Sequence, residues 1–368
     1  MIPFVDLKTQ YLSIKDDVLR EIAAVLDNTH FVLGDHVARF EGEFAKYASS
    51  EHCVALSSGT AALHLAFLAA GIGAGDEVIT TPATFCATVA AIEYAGAKPV
   101  LADVEPQRLT LDPKRIEACI TARTKAIVPV HLHGLMADMD PIREICKRRN
   151  VMLIEDAAQA HGAEYKKQRA GSFGTMACFS FYPGKNLGAY GEGGAVTTSD
   201  ATLAKKLRML RDWGQEGKAN HVMRGYNYRM DGVQGAVLGV KMAHIEKWTE
   251  ARRAIARRYD AAFGPLGLEI PANPADARHV YHVYAMRFDN RDQVRAALEA
   301  RGVQTGIHYP KPVHLQPAYS DLGYGPGSLP VAERASLRLL SLPMYPEMTD
   351  AQVEGVIAAV RDIARAAA

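Results

Sequence analysis

Between about residue 52 and residue 200 the sequence alternates short apolar runs with helical patterns, and this alternation limits the fold more than any other feature. GDEVITT, KPVLADV, KAIVPVH and VMLIED read as strands. Between them, ATVAAIEYAGA reads as a helix stopped at Gly96. DPKRIEACIT reads as a helix with Asp112 as N-cap and Pro113 at its first position, and DPIREICKRRN repeats the Asp-Pro start. Strands that alternate with helices, and are apolar on both faces, predict a parallel sheet covered on both sides.

After residue 200 the pattern changes. LAKKLRMLRDWG is helical and closes at Gly214, residues 233–262 read as one long helix or two, and residues 279–288 alternate like a strand. DQVRAALEARG is a helix with a glycine stop, and an Ala-rich helix begins at Asp350. The expectation is an α/β chain in two parts. Residues 1–244 form a large domain with a mixed, mostly parallel sheet, and residues 245–368 form a smaller α+β domain. A length of 368 residues suits this division, since a domain takes ~100–200 residues.

Charge and cysteine usage exclude several function classes. Lys plus Arg number 42 against 41 Asp plus Glu, a net charge of +1. That balance argues against broad electrostatic binding to nucleic acid or to an anionic membrane, while leaving room for a local site for one anionic ligand. The five cysteines are odd in number and form no C-x-x-C pair, so neither a disulfide framework nor a zinc ribbon is expected. No apolar run reaches the ~18 residues of a membrane span, and no secretory signal is visible. The expected location is the cytoplasm.

Three stretches carry chemistry. In SSGTAALHLA (57–66) small residues precede a helix, whose free first-turn N–H groups would suit a phosphate. Plain N-capping is the competing explanation. In VMLIEDAAQAHGA (151–163) Asp156 ends a buried strand, where ligands bind in open α/β sheets. A buried carboxylate needs a partner, and a protonated heterocyclic nitrogen would serve. Gln159 could reach the same ligand, while capping of the next helix by Asp156 is the plainer alternative. In FSFYPGKNLGAYGEGGAV (179–196) a single lysine sits among glycines and aromatics between two apparent strands. Burial there could lower the Lys185 pKa, as imine chemistry requires. A Gly-rich hairpin with an exposed lysine is the alternative. GYNYRMD (225–231) and HYPKPVHLQ (308–316) are polar and aromatic loops that say little singly.

A phosphate cradle, then an aspartate, then a lysine 29 positions later is the set that a pyridoxal phosphate site needs. On these motifs the sequence resembles the nucleotide-sugar aminotransferases of the DegT/StrS family, within the fold-type I pyridoxal phosphate enzymes. The resemblance runs from VDLKTQY through SSGTAALHLA, GDEVITTPATFCAT, KAIVPVHLHG, IEDAAQAHGA and SFYPGKNLGAYGEGGA to GYNYRMDGVQGA and HYPKPVHLQ.

The resemblance implies a role for each matching residue. Lys185 would be the Schiff-base lysine and proton-transfer base, and Asp156 would face the pyridinium nitrogen. Gln159 would lie near the ring hydroxyl, and Phe85 would stack on the ring. Gly59, Thr60 and Ser180 would hold the phosphate. Asn227 would reach the phosphate of a partner subunit, which implies an obligate homodimer with shared sites. Tyr182, His308 and Tyr309 would face the sugar nucleotide. Arg229 would meet the glutamate carboxylate or a diphosphate, with an ion pair to a nearby acid as its structural alternative. The implied reaction moves an amino group from L-glutamate to a nucleotide-linked keto sugar in two ping-pong halves. SFYPGKNLGAYGEGG leans toward amination at the sugar 3-position. The 4-position, a cyclitol ketone, a sugar dehydratase and a non-catalytic regulator are the alternatives. Dehydratases of this kind replace the lysine by histidine, which weighs against that reading here.

Other signals are weaker. His131 and His133 lie on one face of a strand, but coherent further zinc ligands are missing, so core or site-lining histidines are expected. Met136 and Met139, near Asp138, fit packing or a loop. Arg252, Arg253, Arg257 and Arg258 in EARRAIARRYD read as a solvated helical face with local acid pairing. GEGG lacks the strand-to-helix setting of a dinucleotide fingerprint, so no nicotinamide site is expected.

Overall fold

The strand–helix alternation condenses into one seven-stranded sheet in a computed structural model that describes residues 1–367. Its strands are β1 (His52–Leu56), β2 (Glu77–Thr80), β3 (Lys98–Leu101), β4 (Thr124–Ile127) and β5 (Met152–Asp156). Two short strands follow outside it, β6 (Glu164–Tyr165) and β7 (Gln168–Arg169), before β8 (Met176–Ser180) and β9 (Gly194–Thr198) rejoin it. The order is β1-β9-β8-β5-β4-β2-β3. Only the pairings of β9, with β1 and with β8, are antiparallel.

Successive strand residues enter opposite cores, as the two-sided apolar pattern predicts. Ile79, Ile127, Leu153, Phe179 and Ala195 pack toward Phe40 and Phe44 of α2 (Asp35–Tyr47). Their neighbours Val78, Ala126, Ile154, Cys178 and Val196 pack on the other face toward Leu63 and Phe67 of α3 (Gly59–Ala69). α4 (Ala87–Tyr94) joins the α3 side, while α1 (Leu7–Asn28) lies farther out. α5 (Pro113–Ile116) is a single turn, capped as expected by Asp112, whose Oδ1 accepts from Lys114 N at 3.0 Å. α6 (Met139–Arg149) starts two residues before the expected Asp-Pro point. Its N-cap is Asp138, whose Oδ1 is taken by the Tyr165 hydroxyl at 2.7 Å, and Asp140 falls in the first turn, where the helix dipole favours an acid. α7 (Ala201–Arg211) and α8 (Gly232–Met242) complete this half.

Beyond residue 244 a separate core forms from α9 (Ile245–Phe263), β11 (Tyr284–Arg287), α10 (Arg291–Ala300), β12 (Leu339–Leu342) and α12 (Asp350–Ala367), while β10 (Ala277–Arg278) pairs with β6 and α11 (Pro330–Arg338) packs against Val104 and Leu132 of the first half. Tyr259, Phe263, Met286, Leu298, Leu340 and Val356 are among its buried members, and Ile2 from the other end of the chain packs against it. The strand expected over 279–288 is confined to Tyr284–Arg287. Upstream, the carbonyls are held by side chains instead of a neighbouring strand. Arg253 takes His279 O, Asn186 takes Val280 O and Arg252 takes Tyr281 O.

Candidate active site

Three features meet at the carboxyl ends of the parallel strands, where open α/β sheets bind ligands. β1 leads into the N-terminus of α3, β5 ends in Asp156, and β8 ends in Ser180 and runs into the loop that carries Lys185. The loop after β2, with Phe85, and the first turn of α4, with Thr88, close over them. A cavity of about 630 Å³ opens there. Gly59, Thr60, Phe85, Asp156, Gln159 and Ser180 line it, as do Tyr182, Lys185, His308 and Tyr309. Ten of the twelve expected site residues thus share one cavity.

At the α3 end, Ser58 caps the helix by accepting from Ala61 N at 3.1 Å. The Gly59 and Thr60 amides precede the first intrahelical bond and are free to bind an anion. Gly59 lies against Ser180, and a Cβ at this position would stand 2.6 Å from the Ser180 Cβ and 3.1 Å from its Oγ. Only glycine lets helix and hydroxyl approach so closely. The Ser58 cap therefore leaves these two amides available.

Asp156 is 4% exposed. Its Oδ2 accepts from Thr88 Oγ1 at 2.7 Å and its Oδ1 from Ala158 N at 3.1 Å. Burial pushes its carboxyl pKa up, while these two bonds and the Lys185 charge pull it down. No helix follows Asp156, so it is no N-cap. A carboxylate with two bonds keeps lone pairs for a further donor. Gln159 bridges two groups, accepting from His133 N at 2.6 Å and donating to the Tyr309 hydroxyl at 3.0 Å. Tyr309 also lies 5.7 Å from the Phe85 ring, so this loop tyrosine reaches deeper than a purely sugar-facing role would need. His308 is fixed by Ser341 Oγ at 2.9 Å and stacks on Phe4. Tyr182 is exposed at the rim.

Lys185 is half-buried, and burial lowers its pKa to about 8 against the pull of Asp156. Its loop is pinned from below. Gly188 is pressed on the Pro183 carbonyl with no space for a side chain, and its own carbonyl accepts 2.7 Å from the buried Lys241 Nζ. The strands flanking the loop, β8 and β9, do pair antiparallel, but the lysine between them is not a solvent-exposed hairpin residue.

Asn227 and Arg229 do not line the cavity of their own chain. Asn227 is exposed, and its Oδ1 accepts from Arg229 Nε at 3.0 Å. Arg229 Nη1 pairs with Asp212 at 3.1 Å, the structural alternative foreseen for it. Their segment nevertheless passes beside the start of α3, where Ser57 N donates to Tyr228 O at 2.9 Å.

The structure adds residues that motif reading passed over. Thr88 belongs to the TPATFCAT stretch, but only Phe85 was singled out there. His133, expected as a core or site-lining histidine, is buried behind the cavity wall, giving its amide to Gln159 and its Nε2 to His308 O at 2.8 Å. His131 is a core residue paired with the fully buried Glu155 at 3.0 Å. Arg252 is the clearest correction. It is 4% exposed and lines the cavity, so the solvated-face reading fails for it, whereas Arg258 does pair with Asp350 and Glu354. The signal was present: Arg252 falls on the apolar stripe Ile245, Trp248, Ile255, Ala256, Tyr259.

These residues fit pyridoxal phosphate on the structure's own terms. The helix end and Ser180 make a cradle that a Cβ would fill, a buried carboxylate has a lone pair to spare, and the one cavity lysine has its pKa lowered. Comparison with known proteins agrees. The chain is 44% identical over 98% of its length to dTDP-3-amino-3,4,6-trideoxy-alpha-D-glucose transaminase of Streptomyces venezuelae, covering 96% of that protein. It is also 44% identical to the pleiotropic regulatory protein of Geobacillus stearothermophilus, with 99% of each chain covered. The crystal structure of S. venezuelae DesV in complex with a ketimine intermediate superposes with a TM-score of 0.97 at 45% identity, covering 99% of this chain and 98% of that one. The sequence profile of the DegT/DnrJ/EryC1/StrS aminotransferase family matches residues 12–361, and the chain belongs to that family.

Proposed function

We propose that this chain is a pyridoxal phosphate-dependent transaminase that moves the amino group of L-glutamate onto C3 of a nucleoside-diphosphate keto sugar. The observation that carries the reading is the meeting of Lys185, Asp156 and the Gly59–Ser180 cradle in one cavity of about 630 Å³. Membership of the aminotransferase family supports the reaction, and the 3-amino sugar named for the Streptomyces relative supports the position.

When bound, the cofactor supplies a carbonyl that condenses with amines and a ring that withdraws electrons from the substrate carbon. The Gly59 and Thr60 amides and Ser180 Oγ hold its phosphate, and Phe85 covers the ring. Asp156, kept from water and oriented by Thr88, holds negative charge where the ring nitrogen carries a proton. Gln159 and Tyr309 hold the ring hydroxyl side. Lys185 Nζ, its pKa lowered to about 8, would carry a proton from the donor α-carbon to the cofactor in the first half-reaction and from the cofactor to the sugar carbon in the second. Tyr182 and His308 line the sugar side.

Several parts of the reading reach beyond one chain. Asn227 completes the phosphate site of a second subunit. A homodimer is supported by the exposure of Asn227 outside its own cavity. It is also supported by exposed Trp213 and Val222 in the neighbouring loop and by Leu12, Leu19 and Leu26 at seven-residue spacing on α1. The division at residue 244 is supported by the separate apolar core beyond it. Among the described residues no helix is long and apolar enough to cross a membrane, and the five cysteines are unpaired, which suits a reducing cytoplasm.

The test is the visible spectrum of the holoenzyme before and after L-glutamate. Loss of the lysine-linked cofactor band, and its return on adding a 3-keto sugar nucleotide, is the expected result. A band that no amino donor alters would defeat the transaminase reading.

A further inference from the structure

Arg252 is a buried cation whose partners are all neutral. Its Nη1 donates to three carbonyls, Met344 O at 2.7 Å, Tyr281 O at 3.2 Å and His282 O at 3.4 Å. Its Nε is buried with no hydrogen-bond partner, and its Nη2 donates to none of the described residues. Asp156 and Glu192 line the same cavity, and neither pairs with it. Glu347 acts on it only at a distance, has its carboxyl pKa raised by burial, and is bonded instead to Gln10 Nε2 at 3.2 Å. An unpaired charge away from water is costly, so a guanidinium kept this way calls for an anion from outside the protein.

The other cations of the cavity do not meet that need. Lys185 is engaged by the cofactor. His282 and His308 are held neutral, burial taking the first well below the usual imidazole range and the second to about 4. Arg252 is left as the fixed positive charge among the cavity-lining side chains. Its Nη2, left without a partner, is a fixed donor that a carboxylate oxygen can meet. One guanidinium is a poor match for a diphosphate, which carries about two charges and is held by several donors where proteins bind it.

We propose that Arg252 binds a carboxylate of the amino donor, holding the donor in the cavity that Lys185 lines. The proposal rests on the transaminase reading above and gives its first substrate a binding residue. A structural clamp on the three carbonyls is the competing role, so the test must separate the two.

Holoenzyme of wild type, Arg252→Gln and Arg252→Lys is titrated with glutarate by calorimetry, with L-glutamate by the visible band, and with dTDP as a probe of the nucleotide site. Both substitutions are expected to weaken glutarate and glutamate about tenfold or more, the order of a lost charge-assisted bond. Affinity for dTDP should stay within about twofold. Glutarate affinity unchanged in a folded variant overturns the proposal, as does an equal loss for glutarate and dTDP, the mark of a clamp. If Arg252→Gln does not fold, Arg252→Lys decides, because it keeps the charge and loses the guanidinium donor. A wild type that binds glutarate through Arg252 but is not converted by glutamate keeps this site and removes the transaminase reading. A wild type that glutamate converts but glutarate does not bind removes this site and keeps that reading.

Discussion

Thr88 Oγ1 donates a 2.7 Å hydrogen bond to Asp156 Oδ2, and Thr84 Oγ1 stands 2.8 Å behind it. A hydroxyl relay thus stabilises the charged form of a carboxylate that burial alone would neutralise. Thr88→Val should remove that support. The Asp156 pKa then rises further, and its anion is lost at a higher pH. The acid limb of the kcat profile is expected to move up, with turnover at neutral pH falling about tenfold, the worth of one charge-assisted bond. Thr88→Ser should restore both. A profile that does not move would mean that Asp156 needs no anchored anion.

Gly59 tests the phosphate cradle with one carbon. A Cβ 2.6 Å from the Ser180 Cβ must push the two apart, and such overpacking costs about 1–3 kcal/mol. Gly59→Ala should weaken pyridoxal phosphate binding about tenfold or more, read by fluorescence titration of cofactor-free protein. Pyridoxal, which lacks the phosphate, is the control and should bind with unchanged affinity. Equal losses for both ligands would place the phosphate elsewhere.

The lysine should load its cofactor with a distinctive pH dependence. Only the neutral amine attacks a carbonyl, so loading speeds up as pH rises through the Lys185 pKa. With that value at about 8, the rate in stopped-flow absorbance should level off above about pH 9. A rate still climbing steeply at that point would mean a lysine with an ordinary pKa. Lys185→Ala should show no lysine-linked band and no turnover at any pH.

Much of this site was legible because its parts are local in sequence. Asp156 ends an apolar strand, Lys185 sits in a glycine-rich stretch, and small residues open α3, so each motif carries its own structural context. What was not legible arises from distant contacts. Thr88 matters because it meets a residue 68 positions away. The Val280 region reads as strand by alternation, yet its carbonyls go to Asn186, Arg252 and Arg253, which no local pattern reveals. Arg252 itself was misjudged because four arginines in seven residues suggest a wet face, although its register with Trp248 and Tyr259 puts it inside.

Lys241 offers a stability test at a residue that does not line the cavity. It is 1% exposed, bonds to Gly188 O and lies 4.2 Å over the Tyr190 ring. Burial lowers its pKa from 10.5 to about 8. Below pH 8 it is charged in both folded and unfolded chains, and its burial cost is felt in full. As pH rises from 8 toward 10.5 the folded chain sheds the proton first. Stability relative to Lys241→Met should therefore increase over that window, by at most about 1.4 kcal/mol per pH unit. Urea melts of both proteins between pH 7.5 and 9.5 measure it, and a flat or falling difference would mean that Lys241 stays charged when folded.

The proposal that subunits share sites makes a prediction about mixtures that single chains do not. Asn227 faces away from its own cavity, while Lys185 faces into it. If Asn227 serves the partner's phosphate, Asn227→Asp places a repelling charge in the other subunit's site and should inactivate the homodimer. Lys185→Ala inactivates its own site. In a mixed dimer one site takes both defects and the other takes none. Refolding the two inactive proteins together at equal amounts should thus recover about a quarter of wild-type activity, since half the dimers are mixed and each carries one sound site. Should Asn227 act within its own chain, every site in the mixture holds one defect and no activity returns.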